Sequence, residues 1–483
     1  MCRSAGRCRR AGGRTGSRAG AVTPGTPRRP FAARPAEGPR NGGAKQPWLC
    51  TLDAEVRFVT GSTPRQPILV QKFGGTSVAG PERIRNVVNR ILAARREGYG
   101  VVVVVSAPGG MTDDLLAQAR ELNPEPSRRE LDVLLSTGEQ ISIALVALAL
   151  EAAGQPALSL TGLQAGIHTD GVHGKARILR VDPERVFEGL AAGRVVVVAG
   201  FQGVDPEQDI TTLGRGGSDL TAVALAAALQ AEACEIYTDV DGVYTADPRI
   251  VPGARRLEAV THAEMLELAS LGAQVMQARS IEYAMRLGVD LRVRSSLVDG
   301  PGTWIRRDAY VEHIPVVTGV TCDRKTAKIT VIDLPDRPGV AWKLFAAVAD
   351  RQVNVDLIIQ SASRSGTVDL TFTVPEDEFE AAREAAAAAA ASLGAAGIKT
   401  DQAIAKVSVV GAGMMNTPGV AARIFGALGE AGINIDLIGC SEIKVSCVVA
   451  REQAETAVQV LHDAFDLAGG RLGGPSELTS PSS

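Results

Sequence analysis

Several motifs on which whole function classes depend are missing from this chain. No G-x-x-x-x-G-K-[ST] sequence occurs among its 483 residues, which excludes a P-loop nucleotide site. The twelve-residue D-x-[DN]-x-[DN]-G-x5-E spacing is absent too, so Asp239-Val240-Asp241-Gly242 does not begin an EF-hand calcium loop. Cys2, Cys8, Cys50, Cys234, Cys322, Cys440 and Cys447 form no C-x-x-C pair and no metal-ligand spacing with the five histidines, which implies a reducing compartment. No residue set is assigned to a protein-held metal. The longest apolar helical runs, such as Ile141 to Leu150, fall short of the ~20 residues that span a bilayer. Neither sign of charge dominates, with 51 basic against 54 acidic residues, which argues against a nucleic-acid-binding or membrane-surface protein.

That balance hides an asymmetry. Residues 1–66 hold 13 Lys or Arg and only 3 Asp or Glu, so they are ten charges positive and the body is correspondingly acidic. This extension is rich in Arg, Gly, Pro and Ala, has no apolar periodicity and carries no hydrophobic stretch long enough for a signal peptide. It is expected to be disordered. A start codon called too early, a transit-like leader and a nucleic-acid-binding arm are the three readings open for it.

Organised sequence begins at Ile68. Ile68, Leu69 and Val70 form a short apolar run that ends in Lys72 and the pair Gly74-Gly75, followed by Thr76 and Ser77. A strand of this kind delivers an ammonium group next to backbone without side chains, where amide N–H groups and hydroxyls can approach an anion. The helix-like stretch Pro81 to Arg96 follows, with Ile84, Val87, Val88, Ile91 and Leu92 on one face. Val101 to Val105 are five consecutive valines, a strand that must be buried on both faces and therefore belongs to a parallel sheet covered by helices. The pattern recurs at Val195 to Ala199 and Ala233 to Tyr237, each leading into a polar loop. These four strands predict a doubly wound α/β fold that binds its ligand where the loops gather.

The loops carry groups suited to phosphoryl transfer. Thr211 to Asp219, TTLGRGGSD, places Arg215, two glycines, Ser218 and Asp219 just before a helix expected over Leu220 to Gln230. A helix N-terminus with small residues ahead of it favours anions, and a guanidinium there can grip a carboxylate with two hydrogen bonds. The plain alternative is an ordinary N-cap with a solvated arginine. Asp239 to Arg249, DVDGVYTADPR, offers carboxylates, Tyr244 and Arg249 as a rim for a nucleotide.

Together with STGE at Ser136 to Glu139, these blocks, KFGGTS at Lys72 to Ser77, TTLGRGGSD and DVDGVYTADPR, resemble the signature blocks of aspartokinases in the amino-acid kinase superfamily. The resemblance runs from about Ile68 to Leu472. It implies transfer of the γ-phosphoryl of MgATP to the side-chain carboxylate of L-aspartate, the first step towards lysine, threonine and methionine. It further implies that Lys72 binds the ATP phosphates, that Phe73, Gly74 and Gly75 line their cradle, and that Asp219 organises the lysine. Thr112, Glu139, Arg215 and Ser218 match the positions that hold aspartate, with Arg215 on its carboxylate and Glu139 on its amino group. Tyr237, Thr238, Asp239, Val243, Tyr244, Asp247 and Arg249 match the nucleotide side. A carboxylate is already an adequate nucleophile, so the cations and amides serve to align two anions and offset their repulsion, with magnesium adding positive charge. One departure stands out: Gln274, in Gly272 to Met276, occupies a position where many aspartokinases have a lysine near the phosphates.

Past Trp304 the chain repeats itself. Lys328 to Gln360 and Lys406 to Gly439 share Pro-Gly, Phe, Asn and Asp at one constant offset, seen in Pro338 and Pro418, Phe345 and Phe425, Asn354 and Asn434, and Asp356 and Asp436. Each copy is expected to form a ferredoxin-like βαββαβ unit, with the alanine run Ala385 to Ala391 as the second helix of the first copy. The copies resemble ACT domains, which implies feedback by lysine, threonine or both. The resemblance places Asp336, Asn354, Asp356 and Gln360 at the first effector site and Val420, Ala421, Asn434, Ile435, Ser441 and Glu442 at the second.

The expected organisation is a basic extension over 1–66, a kinase domain over 67–308, ACT units over 316–399 and 400–473, and a disordered tail over 474–483. A cytoplasmic homo-oligomer is implied, or an α/β hetero-oligomer if the C-terminal part is also made separately. The stretch Tyr310 to Val316 has no methionine, leaving Val311 as a substitute start. Another amino-acid kinase acting on acetylglutamate, glutamate or a nucleoside monophosphate, and an amino-acid sensor whose kinase half has decayed, are the competing readings.

Overall fold

The computed structural model describes residues 57–58, 66–273, 275–307, 309, 315–361 and 365–469. The kinase part is built on an eight-stranded sheet. Its order is Ala259–Val260, Thr303–Ile305, Leu291–Ser295, Ala233–Thr238, Ile68–Phe73, Gly100–Val105, Val195–Ala199, Ala157–Leu160. The strands from Leu291–Ser295 to Ala157–Leu160 are all parallel, and Thr303–Ile305 runs against its neighbour.

The five valines show why the sheet is covered on both faces. Val102 and Val104 point into one apolar core with Leu220, Ala224 and Ile236, while Val101, Val103 and Val105 point into another with Ile84, Val88, Ile91 and Val146. Alternate side chains of a strand face opposite ways, so a run without a polar residue needs a helical layer on each side. The helix Gly217–Ala228 supplies one layer, and Pro81–Arg96 and Arg128–Ala152 supply the other. The helix expected over 220–230 thus starts three residues earlier and takes Ser218 and Asp219 into its first turn. A side chain at its first residue, Gly217, would collide with Leu213 and Phe201, each 2.9 Å from a Cβ built there.

Arg128–Ala152 corrects another expectation. It is one 25-residue helix, long and apolar enough by length and composition to cross a membrane, where only a shorter run was foreseen. Asp132, Ser136 and Glu139 recur at helical spacing on it and are all buried, so one stripe is polar and turned into the kinase part.

A smaller five-stranded sheet, in the order Arg57–Phe58, Ile178–Val181, Ile167–Thr169, Gln202–Val204, Ile210–Thr212, carries the hairpin leading into TTLGRGGSD. Arg57 and Phe58 pair with Arg180 and Val181. The extension expected to be disordered throughout therefore contributes a strand. The rest of residues 1–65 and the tail after 469 lie outside the described residues.

The first repeat is complete in itself. Its sheet has the order Ile358–Gln360, Thr367–Pro375, Thr326–Pro335, Gly397–Asp401, with helices Val340–Ala349 and Phe379–Leu393. Ala382, Ala385, Ala386, Ala389 and Ala390 are buried on the second helix, where their small side chains allow close approach to the sheet. Among the described residues the second repeat has three strands of its own, Ile404–Val410, Leu437–Cys440 and Lys444–Ala450. Its fourth is Gly319–Asp323, which precedes the first repeat and pairs antiparallel with Ile404–Val410 from Gly319↔Val410 to Asp323↔Lys406. The boundary drawn at 316 is corrected accordingly: the first unit is inserted between two pieces of the second. Pairing wins because Ile404–Val410, buried at every residue, would otherwise present an open apolar edge. Two crossed ion pairs then tie the units together, Lys328 with Asp436 and Lys406 with Asp356.

A fragment starting at residue 315 and ending at 469 is expected to melt cooperatively, whereas one starting at 326 bares that edge. Its melting midpoint should fall by on the order of 10 °C, or the fragment should aggregate. Equal melting of the two fragments would refute the strand assignment.

Candidate functional site

The parallel registers Tyr237↔Phe73, Phe73↔Val105 and Val105↔Ala199 put the carboxyl ends of four strands at one level. Their loops are joined by main-chain hydrogen bonds: Gly74 N–H donates to Tyr237 O (3.4 Å), Ser106 N–H to Phe73 O (3.1 Å), Gly109 N–H to Gly75 O (3.0 Å) and Gly200 N–H to Val105 O (3.0 Å).

Lys72, one residue from its strand's end, forms an ion pair with Asp219 at 2.6 Å, and both side chains are largely shielded from solvent. Asp219 reaches it from the first turn of Gly217–Ala228, where the helix dipole favours a carboxylate. Two glycines bring the rest together at Ala107. A Cβ on Gly75 would lie 2.6 Å from Ala107 O, and one on Gly138 would lie 2.7 Å from Ala107 Cβ. Only bare backbone at both positions lets the phosphate-side turn, the Ser106 to Met111 loop and the helix Arg128–Ala152 meet.

Glu139 sits at that meeting point. It is buried, its Oε1 accepts the Ala107 N–H at 3.0 Å, and its Oε2 is buried without a partner. Burial raises its pKa to about 7 against the pull of the amide hydrogen bond. Such a carboxylate gains by meeting a cation. Thr112 is half-buried in the first turn of Met111–Leu122, next in the chain. Ser218 is buried against Gly200, where a Cβ would stand 2.7 Å from its Cβ and Oγ. Arg215 is exposed and makes no ion pair among the described residues, while Arg279 fixes its loop by donating to Leu213 O at 2.8 Å.

Three residues expected on the nucleotide side point into the core instead. Phe73 and Tyr237 are buried and stack at 4.6 Å, and the Tyr237 hydroxyl donates to Glu235 at 2.9 Å. Val243 is buried too, and its N–H donates to Thr303 Oγ1 at 2.9 Å. Burying apolar rings at a strand end stabilises the sheet more than exposing them. Thr238 donates to the exposed Asp239 at 3.1 Å, the half-buried Tyr244 donates to Asp241 at 2.9 Å, and exposed Arg249 forks onto Asp247. Gln274 lies outside the described residues.

Sequence reasoning missed Asp132. Buried on the Ser136 and Glu139 face, it accepts hydrogen bonds from Thr212 Oγ1 (2.6 Å) and Gly174 N–H (3.0 Å), and lies 2.8 Å from His173 Nδ1. It therefore ties the TTLGRGGSD hairpin to the helix carrying Glu139. Its helical spacing from Ser136 and Glu139 was the available signal.

At the proposed effector positions, Asp336 and Gln360 line a cavity of about 390 Å³ with Arg337, Gly339 and Leu370. Asp356 does not. It is held by Lys406 of the other unit, and Asn354 N–H donates to Glu378 at 2.7 Å. In the second unit Val420 is buried, Ala421 and Ile435 are half-buried, and Asn434, Ser441 and Glu442 are exposed.

A doubly wound sheet with this lysine, glycine and aspartate arrangement, followed by two ferredoxin-like units, defines an amino-acid kinase with a regulatory ACT pair. Residues 67–295 match the amino acid kinase family, and 328–391 and 407–465 match ACT domains. The aspartokinase of Mycolicibacterium smegmatis is 52% identical over 409 residues, covering 83% of this chain and 97% of that protein. The chain belongs to the aspartokinase family. The fold is similar to that of E. coli aspartokinase III in complex with aspartate and ADP, at 26% identity and a TM-score of 0.69, covering 83% of this chain and 100% of that one. The same enzyme in complex with lysine and aspartate gives a TM-score of 0.66 at 26% identity, covering 82% and 99%.

Since Glu139 is raised from 4.5 to about 7, its protonated form contributes stability that is full below pH 4.5 and is lost as pH rises through 7. Glu139→Gln should therefore be more stable than the unsubstituted protein at pH 8, by up to about 3 kcal/mol, and nearly equal at pH 4.5. Urea titrations of the ligand-free proteins at both pH values measure this. A difference independent of pH would refute it.

Proposed function

We propose that the protein transfers the γ-phosphoryl group of ATP to the side-chain carboxylate of L-aspartate, giving 4-phospho-L-aspartate. The observation that carries this reading is the partnerless Oε2 of buried Glu139, one loop away from the Lys72–Asp219 pair. An α-ammonium brought there would meet a carboxylate that burial leaves short of positive charge, while exposed Arg215 is available to the α-carboxylate. Ser218 and Thr112 are assigned to the same ligand through their hydroxyls. Relatives named aspartokinase, and the E. coli structure holding aspartate and ADP, support the same substrates.

Lys72 then meets the phosphates of ATP where Gly74 and Gly75 leave the backbone bare, and Asp219 keeps its ammonium in place. Asp239, Tyr244 and Arg249 form the accessible part of the nucleotide side. Magnesium would be brought by the triphosphate, and Asp219, already paired with Lys72, is assigned to holding that lysine in place. When bound it would supply charge neutralisation at the transferred group. The chain's own residues bind and orient; the aspartate carboxylate needs no base to attack in line. A cytoplasmic setting agrees with the reduced cysteines, Cys234 and Cys447 being buried free thiols.

The cavity beside Asp336 and Gln360 suits a small zwitterion, and lysine bound to E. coli aspartokinase III favours lysine, with threonine as the second candidate. The second unit's Val420, Ala421, Asn434, Ile435, Ser441 and Glu442 are proposed as its counterpart. Edge strands Ile358–Gln360 and Leu437–Cys440 expose Ile358 and Ile438 and favour a homo-oligomer.

Purified protein with MgATP, aspartate and hydroxylamine should form aspartyl hydroxamate. Lys72→Ala should lower kcat by on the order of 100-fold or more, and Arg215→Ala should raise the KM for aspartate by about 10- to 100-fold. Acetylglutamate-dependent product, or none from a folded ATP-binding chain, would overturn the assignment. Lysine and threonine should each be titrated against the same assay; inhibition should weaken at least tenfold in Asp336→Ala for an effector held at a charge-assisted contact. Unchanged activity with both amino acids would sink the effector reading.

A further inference from the structure

The nucleotide-side segment is shared between two cores. It leaves the sheet after Ala233–Thr238 and doubles back, with Tyr244 and Arg256 forming an isolated antiparallel bridge and Thr245 N–H donating to Arg255 O at 3.0 Å. Its two ends, Val243 and Leu257, belong to the kinase core. Its tip does not. Ala246 and Val251 are buried in the core of the second ACT unit, among Val320, Val409, Leu461 and Phe465. The stretch carrying Tyr244, Asp247 and Arg249 is therefore held from outside the domain that is expected to bind ATP.

Polar contacts reinforce that attachment. Val320 N–H, on the strand completing the second unit, donates to Thr245 O at 2.8 Å. Arg255 Nε donates to Leu467 O at 2.9 Å, and Gln459 Nε2 donates to Ile250 O at 2.8 Å. At the centre, His462 Nε2 of the helix Ala454–Ala464 lies 3.0 Å from Thr245 Oγ1, with both residues fully buried. The Thr245 hydroxyl also accepts Arg255 N–H at 3.1 Å, so one side chain joins both limbs of the loop to the ACT helix. Burial lowers the pKa of the imidazole and so favours its neutral form, which suits a hydrogen bond to a hydroxyl. Removing the imidazole leaves the buried Thr245 hydroxyl with Arg255 N–H alone, and removing the hydroxyl strands both His462 Nε2 and Arg255 N–H.

We propose that His462 is a positioning residue for the ATP site: by holding Thr245 it fixes the loop that presents Tyr244 and Arg249, so the second ACT unit sets nucleotide affinity and leaves aspartate affinity to the kinase core. This rests on the aspartate kinase reading for the identity of both ligands. It makes the ACT unit a structural part of the nucleotide site even with no effector bound.

The test uses the full chain. ADP affinity is measured by calorimetry, and KM values for ATP and aspartate by the hydroxamate assay, for His462→Leu, His462→Gln, Thr245→Val and the His462→Leu/Thr245→Val double variant. His462→Leu and Thr245→Val should each weaken ADP binding and raise the KM for ATP about tenfold, with the KM for aspartate within about twofold. The double variant should be no worse than about twofold beyond Thr245→Val, because that substitution already removes the bond to His462 along with the one from Arg255 N–H. His462→Gln, whose amide can replace Nε2, should recover most of the affinity. Unchanged ADP affinity in a folded His462→Leu, or equal rises in both KM values, would overturn the proposal. Should His462→Leu fail to fold, Thr245→Ser, which keeps the hydroxyl for both His462 and Arg255 N–H, is compared with Thr245→Val, and only the latter should weaken ADP binding. An unsubstituted chain that binds ADP but forms no hydroxamate would refute the aspartate kinase reading alone, and the ADP measurements would still decide the role of His462.

Discussion

The ion pair between Lys72 and Asp219 sets the conditions that the kinase part must meet. An ammonium shielded to this degree needs a counter-charge nearby, and losing that partner would leave a buried cation with nothing to offset its desolvation. The lysine comes from the end of a central strand and the aspartate from the first turn of a helix far along the chain. Their contact requires that the helix start level with the strand ends. Gly200 permits it, since any side chain there would collide with Ser218 in that same turn. The glycines of the TTLGRGGSD block and of the strand-end loops thus do for geometry what the lysine and aspartate do for charge.

The second constraint is the interleaving of the regulatory units. Because Gly319–Asp323 completes the second unit's sheet, the chain must pass through that unit before it builds the first. The linker out of the kinase part is consequently a structural strand. Glu264 marks the same junction: it caps the helix His262–Ser270 through Thr261, and also accepts from Thr318 Oγ1 at 2.6 Å and from Ala412 N–H at 2.9 Å. One buried carboxylate joins a kinase helix, the completing strand and the turn that leads into the second unit's Pro-Gly motif. Motion of that turn cannot leave the kinase helix undisturbed.

Much of this was legible because it depends on local pattern. Five adjacent valines require two covered faces wherever they occur, and the offset shared by Pro338 and Pro418, Asn354 and Asn434 exposes a duplication without any knowledge of contacts. Lys72 and Asp219 could be paired only through the family resemblance, since nothing local links a strand end to a helix start so distant. Where reading failed, the deciding contact was long-range. An aromatic at a strand end, such as Tyr237, serves equally as a base platform or as core; Phe73 and Glu235 decide for core. Asp132 looked like an ordinary helical carboxylate until partners 41 and 80 residues away closed on it. Strand Gly319–Asp323 sits beside the first repeat in sequence, and only its ladder with Ile404–Val410 assigns it to the second.

The duplication also divides labour. Symmetry survives where the units meet, in the reciprocal pairs Lys328–Asp436 and Lys406–Asp356, and this engages at the interface an aspartate that the ACT resemblance had placed at the effector site. Symmetry is broken towards the kinase part. The contacts from Ala412 to Glu264, Lys444 to Glu267, His462 to Thr245 and Gln459 to Ile250 all come from the second unit. The cavity beside Asp336 lies in the first. The contacts that lead from this cavity to the kinase part run through the crossed pairs and the second unit. Since an ion pair partly open to water contributes little by itself, what these contacts can fix is the rigid-body placement of one sheet against the other, with the lysines and aspartates setting its register.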